Sequence, residues 1–419
     1  MFFHLFLFLQ SVILMILFLN LVHDYAFPGS WQGQQMRVSS KQQETTLLRK
    51  LRPCFVSYRR STMSFLTRIL SIAAILLLTS RRAQYLQRAL TALLNHHPVT
   101  SSITPFQKID IPIIISQDGN DLEVMRVAKK FCSSIFPSKG ISCHYIQNFS
   151  QGDDSFNQKK MYERISNHYK FSLDHSFSTL FEKSQLSEPK QIVILEEDLL
   201  IAKDFFEYFV SMIPLLESDE TLLSVSAWND NGQIGLVKDA RRLLRTDFFP
   251  GLGWMLHRRT WNDIRSQWPS IYWDDWLRHY SIKRGFQSIR PEISRTYHIG
   301  IEGGASGSGN RKKMLTKIKL NDEYVPWSKT DLSYLAPSQF FENYMQKVYN
   351  AKEETSLVVA LQVVKNRNTR LIYTSADDFA NIARKLNVWQ DKRGSYRTAY
   401  RNIIELRPFG KYLLYIVPK

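Results

Sequence analysis

Cysteine is scarce: Cys54, Cys132 and Cys143 are the only three in 419 residues. An odd, sparse set excludes a disulfide framework and offers no paired spacing for a structural metal. Cys132 and Cys143 can pair if the fold brings them together, but two buried free thiols are the expected state. Acid is also in deficit, with 38 Asp plus Glu against 55 Lys plus Arg and a formal net charge of +17. A basic surface suits nucleic acid, anionic lipid or a phosphorylated small substrate. No basic recognition helix or base-stacking motif accompanies the charge, which argues against nucleic acid as a partner. Charge of either sign is missing from residues 1–22, MFFHLFLFLQSVILMILFLNLV. A run of about 20 apolar residues is long enough to cross a hydrocarbon core. It lacks the basic start and small-residue cleavage site of a signal peptide, so it reads as an uncleaved membrane anchor. Basic residues begin only after it, at Arg37. Charge bias alone would therefore leave the C-terminus in the cytosol, and orientation has to follow from function.

What is present is an ordinary folded protein, 44% hydrophobic and 13% aromatic, and long enough for two globular units. Residues 23–62, rich in Gln, Ser, Arg and Thr, read as a stem. Beyond them short apolar runs alternate with helical patterns. SIAAILLLTS (71–80) predicts a buried strand in preference to a second membrane span, because it is short and Arg68 stands just before it. Leu86, Leu90, Leu93 and Leu94 then recur at helical spacing. IPIIIS (111–116) predicts a second strand, followed by a helix carrying Leu122, Met125, Ala128 and Phe131. HYIQ (144–147) predicts a third strand, a long helix covers about 159–181, QIVIL predicts a fourth strand, and 204–216 the next helix. That order is the signature of an α/β fold: a mainly parallel sheet covered by helices on both faces. Ligands bind such sheets at the carboxyl ends of the strands. Asp118 after IPIIIS and Glu196-Glu197-Asp198 after QIVIL open onto that same edge.

Three adjacent carboxylates on an apolar strand repel one another and lose hydration, so something should neutralise them. A hard divalent cation, Mg²⁺ or Mn²⁺, suits such oxygen ligands, keeps waters and binds substrate phosphates. A second acidic pair, Asp274-Asp275, lies in YWDDW between Trp273 and Trp276. Aromatic walls would exclude water and favour a general base there, while one of the two acids is free to cap a helix. Glycines at 300, 303, 304, 307 and 309 make a loop able to act as a lid. Asn148-Phe149-Ser150 is a glycosylation sequon consistent with a lumenal chain.

The run EEDLLIAKDFFEYF, then SAWNDNG, RTDFFPGLGW, YWDDW, RPEISRTYH and LNDEYVPWSKTDLSYL, resembles the alpha-1,3-mannosyl-glycoprotein 2-beta-N-acetylglucosaminyltransferase family. The likeness is collinear from about residue 72 to the C-terminus, and YTSADDFANIARKLNVW with AYRNIIELRPFGKYLLYIVP resembles that family's small C-terminal domain. It implies a GT-A type nucleotide-sugar-binding fold with a mainly parallel mixed sheet, a small C-terminal α+β domain and an N-terminal membrane anchor. The implied organisation is an anchor at 1–22, a stem at 23–62, a catalytic domain at 63–300, a glycine-rich lid and linker at 301–335, and a C-terminal domain at 336–419. The implied activity is inverting transfer of GlcNAc from UDP-GlcNAc to the 2-hydroxyl of the alpha-1,3-arm mannose of an oligomannose N-glycan. The enzyme would use Mn²⁺ and sit in the Golgi membrane as a single-pass type II protein with a lumenal catalytic domain.

Carried over residue by residue, Asp198 is the metal ligand and Glu197 the donor-contacting acid, one methylene longer than the usual Asp. Asp274 is the catalytic base, Asp118 binds uridine, and His168 contacts the nucleotide. Arg82, or Arg81 beside it, also contacts the nucleotide. Ser306, within Ala305 to Ser308, contacts the diphosphate. Relatives commonly have Cys where this chain has Ser224 and Ser288, so a disulfide is lost without an orphan thiol. A second pair is replaced by Ser80 or Arg81 on one side and Gly119 on the other. Two rival readings remain: a GlcNAc transferase acting on protein O-linked mannose, and a catalytically silent, membrane-anchored carbohydrate-binding protein.

Overall fold

The structure, a computed structural model, describes residues 72–105, 109–149, 158–179, 189–300 and 314–419. All lie in one compact unit spanning residues 66–419. The anchor and stem expected at 1–22 and 23–62 lie outside the described residues, as does most of the glycine-rich loop. Among the described residues no helix is long and apolar enough to cross a membrane.

The first half is built from strands β1 (Ile72–Thr79), β2 (Ile113–Asp118), β3 (Cys143–Asn148), β4 (Gln191–Glu196) and β5 (Leu199–Ile201). Between them run helices α1 (Ala83–His96), α2 (Leu122–Lys130) and α3 (Gln158–Asp174). Then come α4 (Phe205–Ser218), β6 (Leu222–Ser226), β7 (Leu243–Thr246), β8 (Trp254–His257), α5 (Arg258–Ile264), α6 (Trp273–Arg284), β9 (Gln287–Pro291) and β10 (Thr296–His298). One eight-stranded sheet takes the order β3-β2-β1-β4-β8-β6-β9-β7. β3, β2, β1 and β4 are mutually parallel, β8 runs against β4 and β6, and β9 is parallel to β6. The apolar run of β1 is that of a strand buried on both faces, with Ala74 to Leu78 all in the core. The alternative of a second membrane span at 66–79 thus falls for residues 72–79.

Register aligns the carboxyl ends. Thr79 pairs with Gln117, Leu78 with Glu196, and Asp118 with Asn148. The ends of β2 and β4, separated by one strand, therefore lie about 10 Å apart. The sequence expectation of a shared edge holds.

Two expectations need correction. In α2 the core-facing residues are Val124, Ala128 and the following Phe131, whereas Leu122 is 65% exposed. Asp121 caps this helix, accepting from the Val124 amide at 2.9 Å, and that fixes Leu122 in the first turn on the solvent side. Cys132 and Cys143 are not free thiols but a disulfide, with Cα atoms 4.8 Å apart. After α2 the chain widens into an underwound π turn over Phe131–Ile135, and Gly140 at φ +78° reverses it into β3. Only that local turn, invisible to residue spacing, brings the sulfurs together.

The C-terminal part follows with α7 (Pro337–Tyr349), β11 (Lys352–Glu354), α8 (Leu357–Val363), β12 (Thr369–Tyr373) and α9 (Ala376–Leu386). The short hairpin β13 (Lys392–Arg393) and β14 (Ser395–Tyr396) precedes β15 (Ile404–Leu406) and β16 (Leu414–Pro418). A second sheet, β11-β12-β16-β15, carries its own apolar cluster, including Leu371, Phe379, Ile404 and Ile416. Ion pairs tie it to the first sheet: Arg242 to Glu405 at 2.6 Å and Arg407 to Glu292 at 2.8 Å.

Candidate active site

The acidic triplet closes β4. Glu197 donates its backbone N–H to Leu78 O at 3.0 Å, so the turn is pinned to the end of β1, where Arg82 begins α1. Arg82 occupies the N-cap position without capping; its guanidinium turns to the acids instead. Nε lies 2.7 Å from Glu197 Oε1, and Nη2 lies 2.7 Å from the same oxygen and 2.8 Å from Asp198 Oδ2. Of the two arginines left open by the sequence, Arg82 is the one the structure brings to the acidic turn.

His298, at the end of β10, places Nε2 3.3 Å from Asp198 Oδ2. It gets there because β10 pairs antiparallel with β5, His298 opposite Leu199. Arg295, buried and paired with Asp204 at 3.2 Å, anchors the same segment. Tyr169 of α3 donates its hydroxyl to Glu196 Oε1 at 2.7 Å. The three acids are thus treated differently. Burial and the neighbouring Asp198 charge push Glu196 and Glu197 upward, against Tyr169 and Arg82 respectively. Burial would also raise Asp198, but the hydrogen bond and charge of His298 and the Arg82 guanidinium outweigh it and hold its carboxyl below the usual range. Burial opposes the charged form of His298, and Asp198 and Glu196 overcome it, so its pKa is raised.

At the end of β2, Asp118 accepts from Asn148 Nδ2 at 3.0 Å and faces Arg164 Nη2 at 3.4 Å. One turn further along α3, His168 Nε2 lies 2.9 Å from Ser116 Oγ, which also meets Ser172 Oγ at 2.7 Å. Burial lowers His168 to about 4, against the attraction of Asp118, so the imidazole is neutral and hydrogen-bonds as such. Ser306 lies outside the described residues.

Asp274 and Asp275 sit in the first turn of α6, after Tyr272 in the left-handed region at φ +53°. Neither acid caps the helix, the alternative the sequence left open to one of them; both are favoured there by the positive end of the helix dipole. Trp273 and Trp276 do not enclose them. Trp273 packs into the core with its ring 4.1 Å from Tyr169 and 6.0 Å from Trp254, and Trp276 stacks on Tyr280 at 5.0 Å. The side chain of Asp274 is 38% exposed, with Oδ2 held by Arg278 Nη1 at 2.8 Å. Tyr169 joins this end of the site to the acidic turn: burial raises its phenol well above the usual value, and the charges of Glu196, Asp274 and Asp198 add to the effect.

A divalent cation fits the acidic turn. Asp198 Oδ1 is buried and has no hydrogen-bond partner among the described residues, which leaves it open to a cation, while Arg82 Nη1, equally unpartnered, is a donor open to an anion such as a phosphate. A Cβ added at Gly300 would lie 2.1 Å from Asp198 Oδ2, so the backbone leaves that oxygen room only because no side chain is there. No group of three or more His, Cys, Asp or Glu converges among the described residues. Asp198, with His298 Nε2 3.3 Å from its Oδ2, is where such an ion would be held, and ions of this kind complete their shell with water and substrate oxygens.

The departures noted in the sequence are also placed. Ser224 and Ser288 pair across β6 and β9 with their hydroxyls 2.8 Å apart, so a hydrogen bond stands where the family resemblance implies a disulfide. Ser80 donates to the Asp118 carbonyl at 3.1 Å. His298, Tyr169, Arg164, Asn148 and Gly300 were missed as site residues. His298 lay inside the motif RPEISRTYH, but its partner across the strand pair was not readable from spacing.

The fold and its sheet-edge carboxylates meet the comparison with known proteins here. The chain is 36% identical over 346 residues to the alpha-1,3-mannosyl-glycoprotein 2-beta-N-acetylglucosaminyltransferase of Arabidopsis thaliana, covering 80% of this chain and 71% of that protein. The class is therefore that of the glycosyltransferases. More narrowly, residues 34–419 match the GNT-I family, and the chain belongs to it. Solved structures that resemble it include a glycosyltransferase involved in glycosylation of the major capsid of PBCV-1, 10% identical with TM-score 0.26, covering 58% of this chain and 100% of that one. Mouse xyloside xylosyltransferase 1 is 12% identical with TM-score 0.27, covering 51% of this chain and 77% of that one. The family assignment rests on the sequence match and not on these.

Proposed function

We propose that this is an inverting GT-A glycosyltransferase that moves GlcNAc from UDP-GlcNAc to the 2-hydroxyl of the alpha-1,3-arm mannose of an oligomannose N-glycan. The observation that carries the reading is the 36% identity with the Arabidopsis enzyme of that name, kept together with a clustered acidic turn and a separate, exposed carboxylate. Asp198 and His298 would hold a divalent cation, Mn²⁺ in this reading. When bound, the ion neutralises charge on the diphosphate leaving group. Arg82, its Nη1 unpartnered among the described residues, supplies a fixed positive charge beside it. Asp118, oriented by Asn148 and Arg164, and neutral His168 would receive the nucleoside end, and the family resemblance assigns Ser306 to the diphosphate. Glu197 keeps the negative charge of the usual Asp but spends it on Arg82.

Asp274 accepts the proton of the mannose 2-hydroxyl as that oxygen attacks the anomeric carbon from the face opposite the leaving UDP. The C1–O bond to UDP breaks as the new one forms, which inverts the configuration, and the proton ends on Asp274 Oδ1. No acid is needed, because the leaving group is a diphosphate.

Residues 1–22 would anchor the chain in the Golgi membrane as a type II protein, with the stem at 23–62 and the catalytic part in the lumen. A disulfide between Cys132 and Cys143 agrees with an oxidising compartment. The test is a transfer assay with UDP-GlcNAc, with and without Mn²⁺, against a five-mannose N-glycan and an O-mannosyl peptide in parallel. Transfer to the N-glycan alone, abolished by chelator, is expected. Transfer to the peptide alone would install the O-mannose reading, and failure to release UDP with either acceptor would leave a silent carbohydrate-binding protein.

A further inference from the structure

The carboxylate assigned as base is one end of a chain of charges. Arg278 Nη1 donates to Asp274 Oδ2 at 2.8 Å and also to Asp275 Oδ1 at 2.7 Å. Both oxygens of Asp275 accept from Arg393 Nη1 at 2.7 Å, a contact across 118 residues of sequence. Arg393 Nε donates to Asp391 Oδ2 at 3.0 Å, Asp391 Oδ1 accepts from Arg397 Nε at 3.1 Å, and Arg397 Nη1 donates to Asp230. Four carboxylates alternate with three guanidiniums, which leaves one negative charge in excess. Of the two ends of that chain, Asp274 is 38% exposed and Asp230 only 5%.

The hairpin that carries Arg393 is seated on the helix that carries the base. Gly394, at the turn between β13 and β14, has φ +74°, and a Cβ there would come 3.1 Å from Ile282 Cγ1 and 3.3 Å from the carbonyl oxygen of Arg278. Arg278 itself is buried, its Nε directed to Phe249 O at 3.3 Å and its guanidinium 4.9 Å from the Phe248 ring. Its Nη1 is therefore divided between two adjacent carboxylates that compete for it. Without Arg393, the full charge of Asp275 would fall on Arg278 and draw it from Asp274.

We infer that Arg393, on the C-terminal hairpin, is a positioning residue for Asp274, acting through Asp275 and Arg278. By neutralising Asp275 it leaves Arg278 free to hold Asp274 Oδ2, so that Oδ1 meets the acceptor hydroxyl. This rests on the reading of Asp274 as the base. It also gives the small C-terminal part a task in catalysis besides packing. Burial works against the ionised form of Asp275, but Arg393 and Arg278 overcome it and keep the carboxyl low, in line with a committed ion pair.

The experiment compares Arg393→Gln, Arg393→Lys, Asp275→Asn and the double variant Arg393→Gln/Asp275→Asn in the full chain, each checked for an unchanged melting curve. Arg393→Gln should lower kcat about tenfold while leaving the KM for UDP-GlcNAc within about twofold, and Arg393→Lys should lose less. Because Asp275→Asn removes the competing charge, the double variant should recover to within about threefold of wild type. Should Arg393→Gln not fold, Arg393→Lys with and without Asp275→Asn gives the same comparison. An unchanged kcat in the single variant, or a double variant no better than the single, overturns the inference. Asp274→Asn run alongside separates the two claims. Wild-type transfer in that variant removes the base assignment itself, whereas loss there with a normal Arg393→Gln removes only the role of Arg393.

Discussion

Gly300→Ala is the most incisive small change. The added methyl would lie 2.1 Å from Asp198 Oδ2, 2.8 Å from its Cγ and 2.9 Å from Arg82 Nη1. Gly300 is not among the left-handed positions, so the backbone accepts alanine. A normal contact needs about 3.4 Å, so the carboxylate must retreat by more than 1 Å in a site where it is 3% exposed and held by Arg82 and His298. Charge-assisted bonds are each worth about 1.5–3 kcal/mol. Moving Asp198 out of place for the cation and diphosphate would forfeit one such contact on binding, about 3 kcal/mol or about 100-fold in donor Kd. Calorimetric titration of UDP-GlcNAc with Mn²⁺ reads this directly, with a melting curve to show that the fold is kept. Donor binding within twofold of wild type and an unchanged metal requirement would refute the geometry assigned to Asp198.

Three further outcomes follow from the packing. Cys132→Ser opens a cross-link between positions 11 apart and should lower stability by about 2–3 kcal/mol, measured by denaturant titration under oxidising conditions; no change would mean the sulfurs are not bonded. Ser224→Cys with Ser288→Cys should form a disulfide without rearrangement, because the two face each other across β6 and β9, and thiol titration should find both sulfurs consumed. Asn148 Nδ2 is committed to Asp118 at 3.0 Å, so intact-mass analysis of the full chain purified from cells that glycosylate lumenal proteins should find that sequon without a glycan; a glycan there would mean Asp118 is held otherwise.

The parallel half of the sheet was legible because strands buried on both faces write themselves as unbroken apolar runs, as in β1 and β4. The shared carboxyl edge followed from strand order alone, which placed Asp118, Glu197 and Asp198 along it. What failed was local. Leu122 reads as a core residue until the Asp121 cap fixes where the helix starts. The pairing of Cys132 with Cys143 depends on a π turn and one left-handed glycine. YWDDW looks like a carboxylate pair between aromatic walls, yet helical geometry sends Trp273 into the core, lays half-buried Trp276 against Tyr280 and leaves Asp274 partly exposed. His298 and Arg393 were out of reach for a different reason. Each meets the site through a non-local pairing, β10 on β5 and the C-terminal hairpin on α6, and single-sequence periodicity carries no such register.

The central claim is that two carboxylates divide the work, Asp198 with the donor and Asp274 with the acceptor proton. Donor affinity and transfer rate measured on the same preparation of Asp274→Asn test that division most directly. A lost general base costs about 10²–10⁴ in rate. The account predicts UDP-GlcNAc binding within about threefold of wild type and transfer to the five-mannose glycan reduced by about 10³. Transfer at a tenth of the wild-type rate or more, or loss of donor binding in step with turnover, would contradict it.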